Sequence, residues 1–137
     1  METTIERTLI ETPERTLITA KLFGSCFPLQ LEPFIFHIAS TQAQSYKGGY
    51  WDFYELSNGG FYMALDEADT YKVSCPNYYR GEMSGEALGI VSCLCAYSHL
   101  SFSGDLPFAK NFALHFHLLR DYAGEHSEAR AIFGAID

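Results

Sequence analysis

The chain has 137 residues, which is enough for one domain with a single core and too few for two independent cores. Its residues are 47% hydrophobic, 15% aromatic and 19% charged, a composition that is typical of a packed globular protein and excludes a disordered one. Seventeen acidic and nine basic residues give a net charge of −8. This balance argues against a broad nucleic-acid-binding surface, and it permits a basic partner or a protein that imitates DNA.

The acidic residues are spread along the whole chain, and the densest group is Asp66, Glu67 and Asp69. A DNA duplex carries one negative charge per roughly 1.7 Å of its axis, so eight net charges match only about 14 Å of duplex. An extended DNA mimic needs a denser array on one face. The net charge therefore indicates that most acidic residues serve solubility and that functional acidic residues are confined to a few places.

No apolar run approaches the length of a membrane span, and the acidic N-terminus lacks the apolar core of a secretory signal. We expect a cytoplasmic protein that does not enter membranes and whose thiols stay reduced. The four cysteines are too sparse for a disulfide scaffold; they are Cys26, Cys75, Cys93 and Cys95.

The first part of the chain is the hardest to interpret. Residues 1–21 contain apolar side chains such as Leu17 and Ile18, but their spacing indicates neither a helix nor a strand. From Glu32 the pattern is clearer, because Pro33 suits a first helical turn and apolar residues follow at helical spacing. This helix is predicted to end near Ser45.

Residues 50–65 predict a β-hairpin, because two aromatic-rich arms flank an Asn-Gly pair. If Asn58 and Gly59 are the two residues of a type I′ turn, Leu56 lies opposite Phe61. Aromatic side chains on both faces of the first arm indicate that both faces are covered at least in part.

A third strand, Tyr71 to Cys75, is predicted to pair next to the hairpin in a meander. A helix capped by Ser84 follows, a break is expected at Gly104-Asp105, and the next helix stops at Gly124. A last short helix contains residues 129–136. The predicted fold class is α+β: one compact domain, residues 1–137, in which a small antiparallel sheet of about three strands is packed by about four helices.

No motif for metal binding or catalysis stands out. His115 and His117, like Cys93 and Cys95, are two residues apart on predicted helices and point in different directions, whereas helical metal ligands favour a spacing of four. The chain has no paired CxxC motifs and no nucleophile elbow. We therefore expect no catalytic residues, no metal site and no cofactor.

The aromatic hairpin has two interpretations of equal weight. Tyrosine and tryptophan anchor many protein interfaces, and they also fill the cores of small sheets. Tyr50, Trp51, Tyr54 and Tyr62 suit either role, and few basic residues accompany them for stacking on single-stranded nucleic acid.

The stretch from Tyr46 to Ala64 reads YKGGYWDFYELSNGGFYMA. It closely resembles the signature of the ArdB/KlcA antirestriction family, and the chain departs from that signature where Leu65 replaces the usual proline. A looser resemblance covers most of the chain from about residue 22, including Gly81–Ser84 and Glu128–Asp137.

The resemblance implies a small cytosolic protein with a compact α+β fold, encoded on plasmids or other mobile elements. Such proteins protect incoming DNA against type I restriction–modification enzymes, and no enzymatic activity is attached to them. The implied partner is the type I restriction complex or an associated host protein. Direct binding of duplex DNA is not expected, and the oligomeric state is left open.

We interpret the hairpin motif first as a fold signature and second as a surface for the partner. The candidate partner-binding residues are Glu32, Tyr50, Trp51, Asp52, Tyr54, Glu55, Asn58, Tyr62 and Asp137. The alternative is an acidic DNA mimic that competes for the DNA groove of the restriction enzyme. Its candidate residues are Glu32, Asp52, Glu55, Asp66, Glu67, Asp69 and Asp137.

Overall fold

A computed structural model of the chain describes residues 4–66, 69–102 and 106–137. These residues form an α+β fold with antiparallel sheets, which confirms the predicted fold class. In chain order the elements are β1 (Arg7–Leu9), α1 (Arg15–Phe23), α2 (Glu32–Gln42), β2 (Trp51–Leu56), β3 (Phe61–Leu65), β4 (Thr70–Ser74), β5 (Arg80–Ser84), α3 (Gly85–Leu100), α4 (Leu106–Ala123) and α5 (Ala129–Ile136). A 3₁₀ turn, Thr12–Glu14, precedes α1, and a π-helical turn, Phe27–Leu31, precedes α2.

The four predicted helices are present, and a fifth, α1, was not predicted. Helix α2 begins at Glu32 as expected, but it ends at Gln42 instead of near Ser45, because Ala43 turns to extended backbone and bridges Val73. The predicted cap of α3 is confirmed, since the side chain of Ser84 accepts a hydrogen bond from the backbone N–H of Ala87. The break predicted at Gly104-Asp105 lies outside the described residues.

The hairpin of β2 and β3 is confirmed, but its turn differs from the prediction by one residue. Glu55, and not Leu56, lies opposite Phe61. Gly59 has a positive φ of 95° and supplies the left-handed residue by itself. Asn58 has a negative φ, and its side chain stabilises the turn: Oδ1 accepts from the N–H of Gly60 and Nδ2 donates to the carbonyl of Leu118.

The third strand of this sheet was assigned wrongly. The predicted strand, Tyr71 to Cys75, corresponds to β4, which pairs with β5 in a separate two-stranded sheet. The third place in the main sheet is taken by β1, and the order is β1-β2-β3. The turn after β4 folds that strand into a hairpin of its own, in which the N–H of Cys75 donates to the carbonyl of Tyr79 at 2.9 Å.

Helix α3 is the centre of the fold. It packs on β3 and contacts α2, α4 and α5, and nearly all of its first thirteen residues are buried. The helix backbone comes closest to the strand at Gly89, where an added Cβ would lie 2.4 Å from the carbonyl oxygen of Met63 and 2.5 Å from the Cα of Ala64. Further along the helix, the hydroxyl of Tyr97 donates to the carbonyl of Phe61 at 2.7 Å.

An aromatic cluster fills the space between α1, α4 and the hairpin. Phe23 contacts Phe61, Tyr97, Phe112 and His115, with ring centroids 4.6 to 6.1 Å apart. His115 is 3% exposed, and its Nδ1 is buried without a hydrogen-bond partner among the residues that the structure describes. Burial lowers the pKa of His115 to about 4, because the apolar surroundings disfavour the charged imidazolium.

Among the described residues, the structure contains no helix that is both long and apolar enough to cross a membrane.

Replacement of Gly89 by alanine should destabilise the fold. Alanine favours a helix by about 1 kcal/mol over glycine, but the added methyl group meets strand backbone that cannot move aside, and we expect a net loss of about 2 kcal/mol in the free energy of unfolding. Urea denaturation measures this change in the free energy of unfolding. The matched control is Gly124→Ala, where the nearest atom to the new Cβ lies at 3.5 Å. Equal stability of the two variants would contradict the close packing of α3 on β3.

His115 should make the fold sensitive to acid. Its pKa in the folded state is about 4, below the value of about 6.5 for an unfolded chain. The unfolded state therefore binds the proton first as the pH falls. The contribution of neutral His115 is fully present above pH ~6.5 and is lost between pH ~6.5 and ~4, by about 3 kcal/mol in total. Between pH ~6.5 and ~4, chemical denaturation should show a smaller loss in the free energy of unfolding for His115→Leu than for the unaltered protein. If the free energy of unfolding falls equally with pH in both proteins, His115 is not the source of the acid sensitivity.

Candidate functional site

The nine predicted partner-binding residues differ widely in exposure. Trp51 is 5% exposed and Tyr62 is fully buried, so both act as packing residues inside the fold. Tyr50 is 53% exposed, and Glu55 and Asp137 are also exposed. The other four are partly buried; they are Glu32, Asp52, Tyr54 and Asn58. A partner can reach these seven residues without disturbing the core.

Three of the seven lie around a basic residue that the sequence analysis did not single out. We call this group the Arg15 cluster: Arg15, Glu32, Tyr50, Asp52 and Phe53. Nη2 of Arg15 donates to the hydroxyl of Tyr50 at 2.9 Å and lies 3.8 Å from Oδ1 of Asp52. The guanidinium also covers the ring of Phe53, with 4.3 Å from its carbon to the ring centroid.

The two acids of the Arg15 cluster, Glu32 and Asp52, are partly buried. Burial raises the pKa of Glu32, and the charge of Arg15 opposes this effect. Burial also raises the pKa of Asp52; the nearby charge of Asp66 adds to the shift, and Arg15 opposes it. The cluster combines one cation, two carboxylates and aromatic faces, which suits recognition of a polar group.

Arg15 could have been found from the sequence. Thr12-Pro13-Glu14 is a helix-start pattern, with a capping residue type, a proline and an acid in succession. A helix that begins there carries Arg15 in its first turn. Its contacts with Tyr50 and Asp52 have no local signal, since 35 residues separate Arg15 from Tyr50.

A second polar group lies at the start of α3, and we call it the Glu86 network: Arg7, Tyr62, Glu86 and His126. Oε1 of Glu86 accepts hydrogen bonds from Arg7 and from the hydroxyl of Tyr62. Oε2 lies 2.6 Å from Nε2 of His126. Nδ1 of His126 accepts from the backbone N–H of Glu128, so Nε2 carries the proton and donates it to Glu86. Burial lowers the pKa of His126, which favours this neutral form.

The Glu86 network rests on a stack of three tyrosines. The ring of Tyr62 stacks between those of Tyr54, at 5.0 Å, and Tyr122, at 5.5 Å. The guanidinium of Arg7 lies over the ring of Tyr54 at 4.5 Å. Burial raises the pKa of Tyr62 above its ordinary value, so its hydroxyl remains a donor at neutral pH. The network joins β1, β3, α3 and the segment between α4 and α5, and it therefore has a clear role in stability.

The cysteines are placed as unreactive thiols. Cys26, Cys75 and Cys93 are buried, and Cys95 is partly buried. Burial raises the pKa of Cys93 to about 12, and it also raises the pKa values of Cys75 and Cys95. Since the thiolate is the nucleophile, these three residues are poor candidates for covalent catalysis at neutral pH.

Removal of one hydroxyl should weaken the Glu86 network. Tyr62→Phe keeps the stacked ring but takes away a donor to the carboxylate of Glu86 and an acceptor for Arg7. We expect it to lower the free energy of unfolding by about 2 kcal/mol, the usual range for a hydrogen bond to a charged group. Tyr78→Phe, at a residue that is 93% exposed, is the control and should change stability by less than about 0.5 kcal/mol. If Tyr62→Phe lowers the free energy of unfolding in urea titrations by no more than Tyr78→Phe does, the network has no role in stability.

Comparisons with known proteins agree with this structure. A family model described as antirestriction protein matches residues 44–137. The chain is 33% identical to the Escherichia coli antirestriction protein KlcA over 135 residues, which cover 97% of this chain and 95% of KlcA. It is 41% identical over 112 residues to the Escherichia coli (strain K12) protein YafX, covering 80% of this chain and 72% of YafX.

The fold also matches a solved structure from work on the KlcA and ArdB proteins. The two have a TM-score of 0.91 and 34% sequence identity, and the match covers 100% of this chain and 98% of the other. The KlcA and ArdB proteins were described as showing antirestriction activity against type I DNA restriction systems in vivo but not in vitro. On the family model, the identity over nearly the whole length and the shared fold, the chain belongs to the ArdB/KlcA family of antirestriction proteins.

Proposed function

We propose that this protein protects incoming DNA from type I restriction–modification systems, and that it does so by binding a protein. The observation that carries the proposal is the match over the full length of the chain, at a TM-score of 0.91, to a structure from work on proteins with this activity. The protein would act in the cytoplasm as a non-enzymatic inhibitor encoded on a plasmid or another mobile element.

The protein is further proposed to act through a cellular factor in addition to, or in place of, direct contact with the restriction enzyme. Activity of the KlcA and ArdB proteins was seen in vivo but not in vitro. A direct competitor for the DNA groove needs only the purified enzyme to be effective. Dependence on the cell therefore favours a partner that purified assays lack, such as a host protein associated with the restriction complex.

The alternative of DNA mimicry is weakened at two of its candidate acids, Glu32 and Asp52, whereas Glu55, Asp66, Asp69 and Asp137 are exposed. Asp52 is partly buried beside Arg15, and Glu32 faces a pocket in the same cluster. Glu86 is bound by Arg7 and His126. Carboxylates that are paired within the fold contribute little to a duplex-like surface potential. Glu67, another candidate of the mimic hypothesis, lies outside the described residues.

The partner surface is proposed to include the accessible candidates: Glu32, Tyr50, Asp52, Tyr54, Glu55, Asn58 and Asp137. Tyr50 and Glu55 are exposed and border the two ends of β2. A tyrosine ring with an exposed edge is a common anchor of protein interfaces.

A plating assay tests the activity and the surface together. Unmodified phage should plate at least about tenfold better on a host with an active type I system when the protein is expressed. The double variant Tyr50→Ala, Glu55→Lys should lose most of this protection, because loss of an interface anchor weakens binding by tenfold or more. Glu82→Lys, a charge reversal at an exposed residue of β5, is the control. Equal restriction with and without the protein would disprove the proposed function.

A purified restriction reaction separates the two mechanisms. With type I enzyme, DNA and the protein alone, we expect cleavage of the DNA to continue. Crosslinking in cells should capture a host protein, and the double variant at Tyr50 and Glu55 should capture less of it. Salt-sensitive inhibition of the purified enzyme, relieved by excess DNA, would instead establish DNA mimicry.

A further inference from the structure

A preformed pocket lies beside the Arg15 cluster, between α1, the π-helical turn and β2. Its volume is about 290 Å³. The walls are formed mainly by Arg15, Thr16, Ala20, Phe27, Glu32 and Phe53. This size suits a small molecule with one ring.

The pocket combines an apolar floor with two opposed charges. Phe27 and Phe53 are 4% and 5% exposed and belong to the core, so the floor is fixed by packing. Arg15 and Glu32 both line the pocket. Among the described residues, Arg15 forms its ion pair with Asp52, whereas Glu32 acts on Arg15 at longer range. The cavity thus keeps a guanidinium and a carboxylate apart instead of letting them neutralise each other.

The polar groups of this pocket are incompletely satisfied. Nε of Arg15 is buried and has no hydrogen-bond partner within the described part of the chain. Glu32 is only partly exposed, and its carboxylate is desolvated by the surrounding protein. Unpaired buried polar groups are unfavourable for folding, and proteins tend to keep them at sites that serve binding or chemistry.

We propose that this pocket binds a small flat molecule with a neutral carboxamide or lactam edge, whose carbonyl oxygen accepts from Arg15 and whose N–H donates to Glu32. An anion gains from Arg15 but is repelled by Glu32 and Asp52. A cation gains from the carboxylates, but it is repelled by Arg15 and leaves the N–H donors of Arg15 without an acceptor. A neutral amide matches both walls at once, and its ring lies on the apolar floor. This binding is separate from the proposed antirestriction function and does not depend on it.

Three probes of equal shape test the proposal: benzamide, benzoate and benzamidine. They share a phenyl ring and differ only in a neutral, anionic or cationic end. In NMR titrations of the full chain, benzamide should bind with a dissociation constant on the order of 1 mM, as expected for nine non-hydrogen atoms. The chemical shift changes should centre on α1, the π-helical turn and β2. Benzoate and benzamidine should bind at least about tenfold more weakly.

Two variants locate the site and assign its polarity. Glu32→Gln removes the repulsion from Glu32 and leaves only Asp52, which is already paired with Arg15, so benzoate should overtake benzamide. Ala20→Leu fills the pocket without changing charge and should abolish binding of all three probes. Glu82→Gln, which neutralises an exposed carboxylate on β5 outside the pocket, is the matched control and should bind benzamide like the unaltered protein.

The proposal is overturned if benzamide does not bind up to its solubility limit, or if benzoate or benzamidine binds the unaltered protein equally well. It is also overturned if Ala20→Leu, with an unchanged NMR spectrum elsewhere, binds benzamide normally. If Glu32→Gln fails to fold, Ala20→Leu and the ranking of the three probes decide the question.

Discussion

Helix α3 and strand β3 approach each other so closely at Gly89 that only a hydrogen atom fits between them. Every residue of β3 is buried as a result, and the aromatic side chains of the hairpin are enclosed between this helix and the elements around it. Interiors packed at this density leave little freedom for adjustment. The position of β3 in turn determines where β2, β1 and the polar groups at their edges lie.

The aromatic stretch from Tyr46 to Ala64 is therefore largely a packing motif in this chain. Trp51 is buried against Phe36, and its indole N–H donates to the hydroxyl of Tyr46. Tyr62 is enclosed by two other tyrosines. The residues that remain accessible are the ones at the margins of the hairpin, where the Arg15 cluster and the Glu86 network place charges beside aromatic faces. The partner surface and the ligand pocket proposed above therefore lie at polar edges of the packed core.

Much of this architecture could be predicted from local patterns. Helices α2 and α3 carry their own start signals in Pro33 and Ser84, and the Asn-Gly pair indicates a hairpin wherever it folds. The register of that hairpin could not be predicted from its own residues, because Asn58 has a negative φ where a type I′ turn needs a positive one. The side chain of Asn58 instead donates to the carbonyl of Leu118, sixty residues away. One residue of slip exchanges the two faces of a strand, so the geometry of this turn decides which side chains meet.

The candidate site was harder to predict than the fold for the same reason. Glu32, Tyr50 and Asp52 could be predicted from their residue types. Arg15, which lies between them, belongs to α1, a helix that the spacing of its apolar residues did not predict. Strand β1 has three exposed residues and no apolar alternation, and it exists because β2 offers it a pairing edge. Propensity carries no information about such a strand, since its stability comes entirely from tertiary contacts.

The N-terminal strand also has a consequence for synthesis on the ribosome. Arg7 is translated 79 residues before its partner Glu86. Ile5 is translated 120 residues before Glu125, whose side chain accepts a hydrogen bond from the N–H of Ile5. A nascent chain can form α1 and the hairpin while these partners are still being translated. Strand β1 can pair with β2 once the hairpin is made, but the groups that bind Arg7 and Ile5 are translated later, in α3 and in the segment after α4.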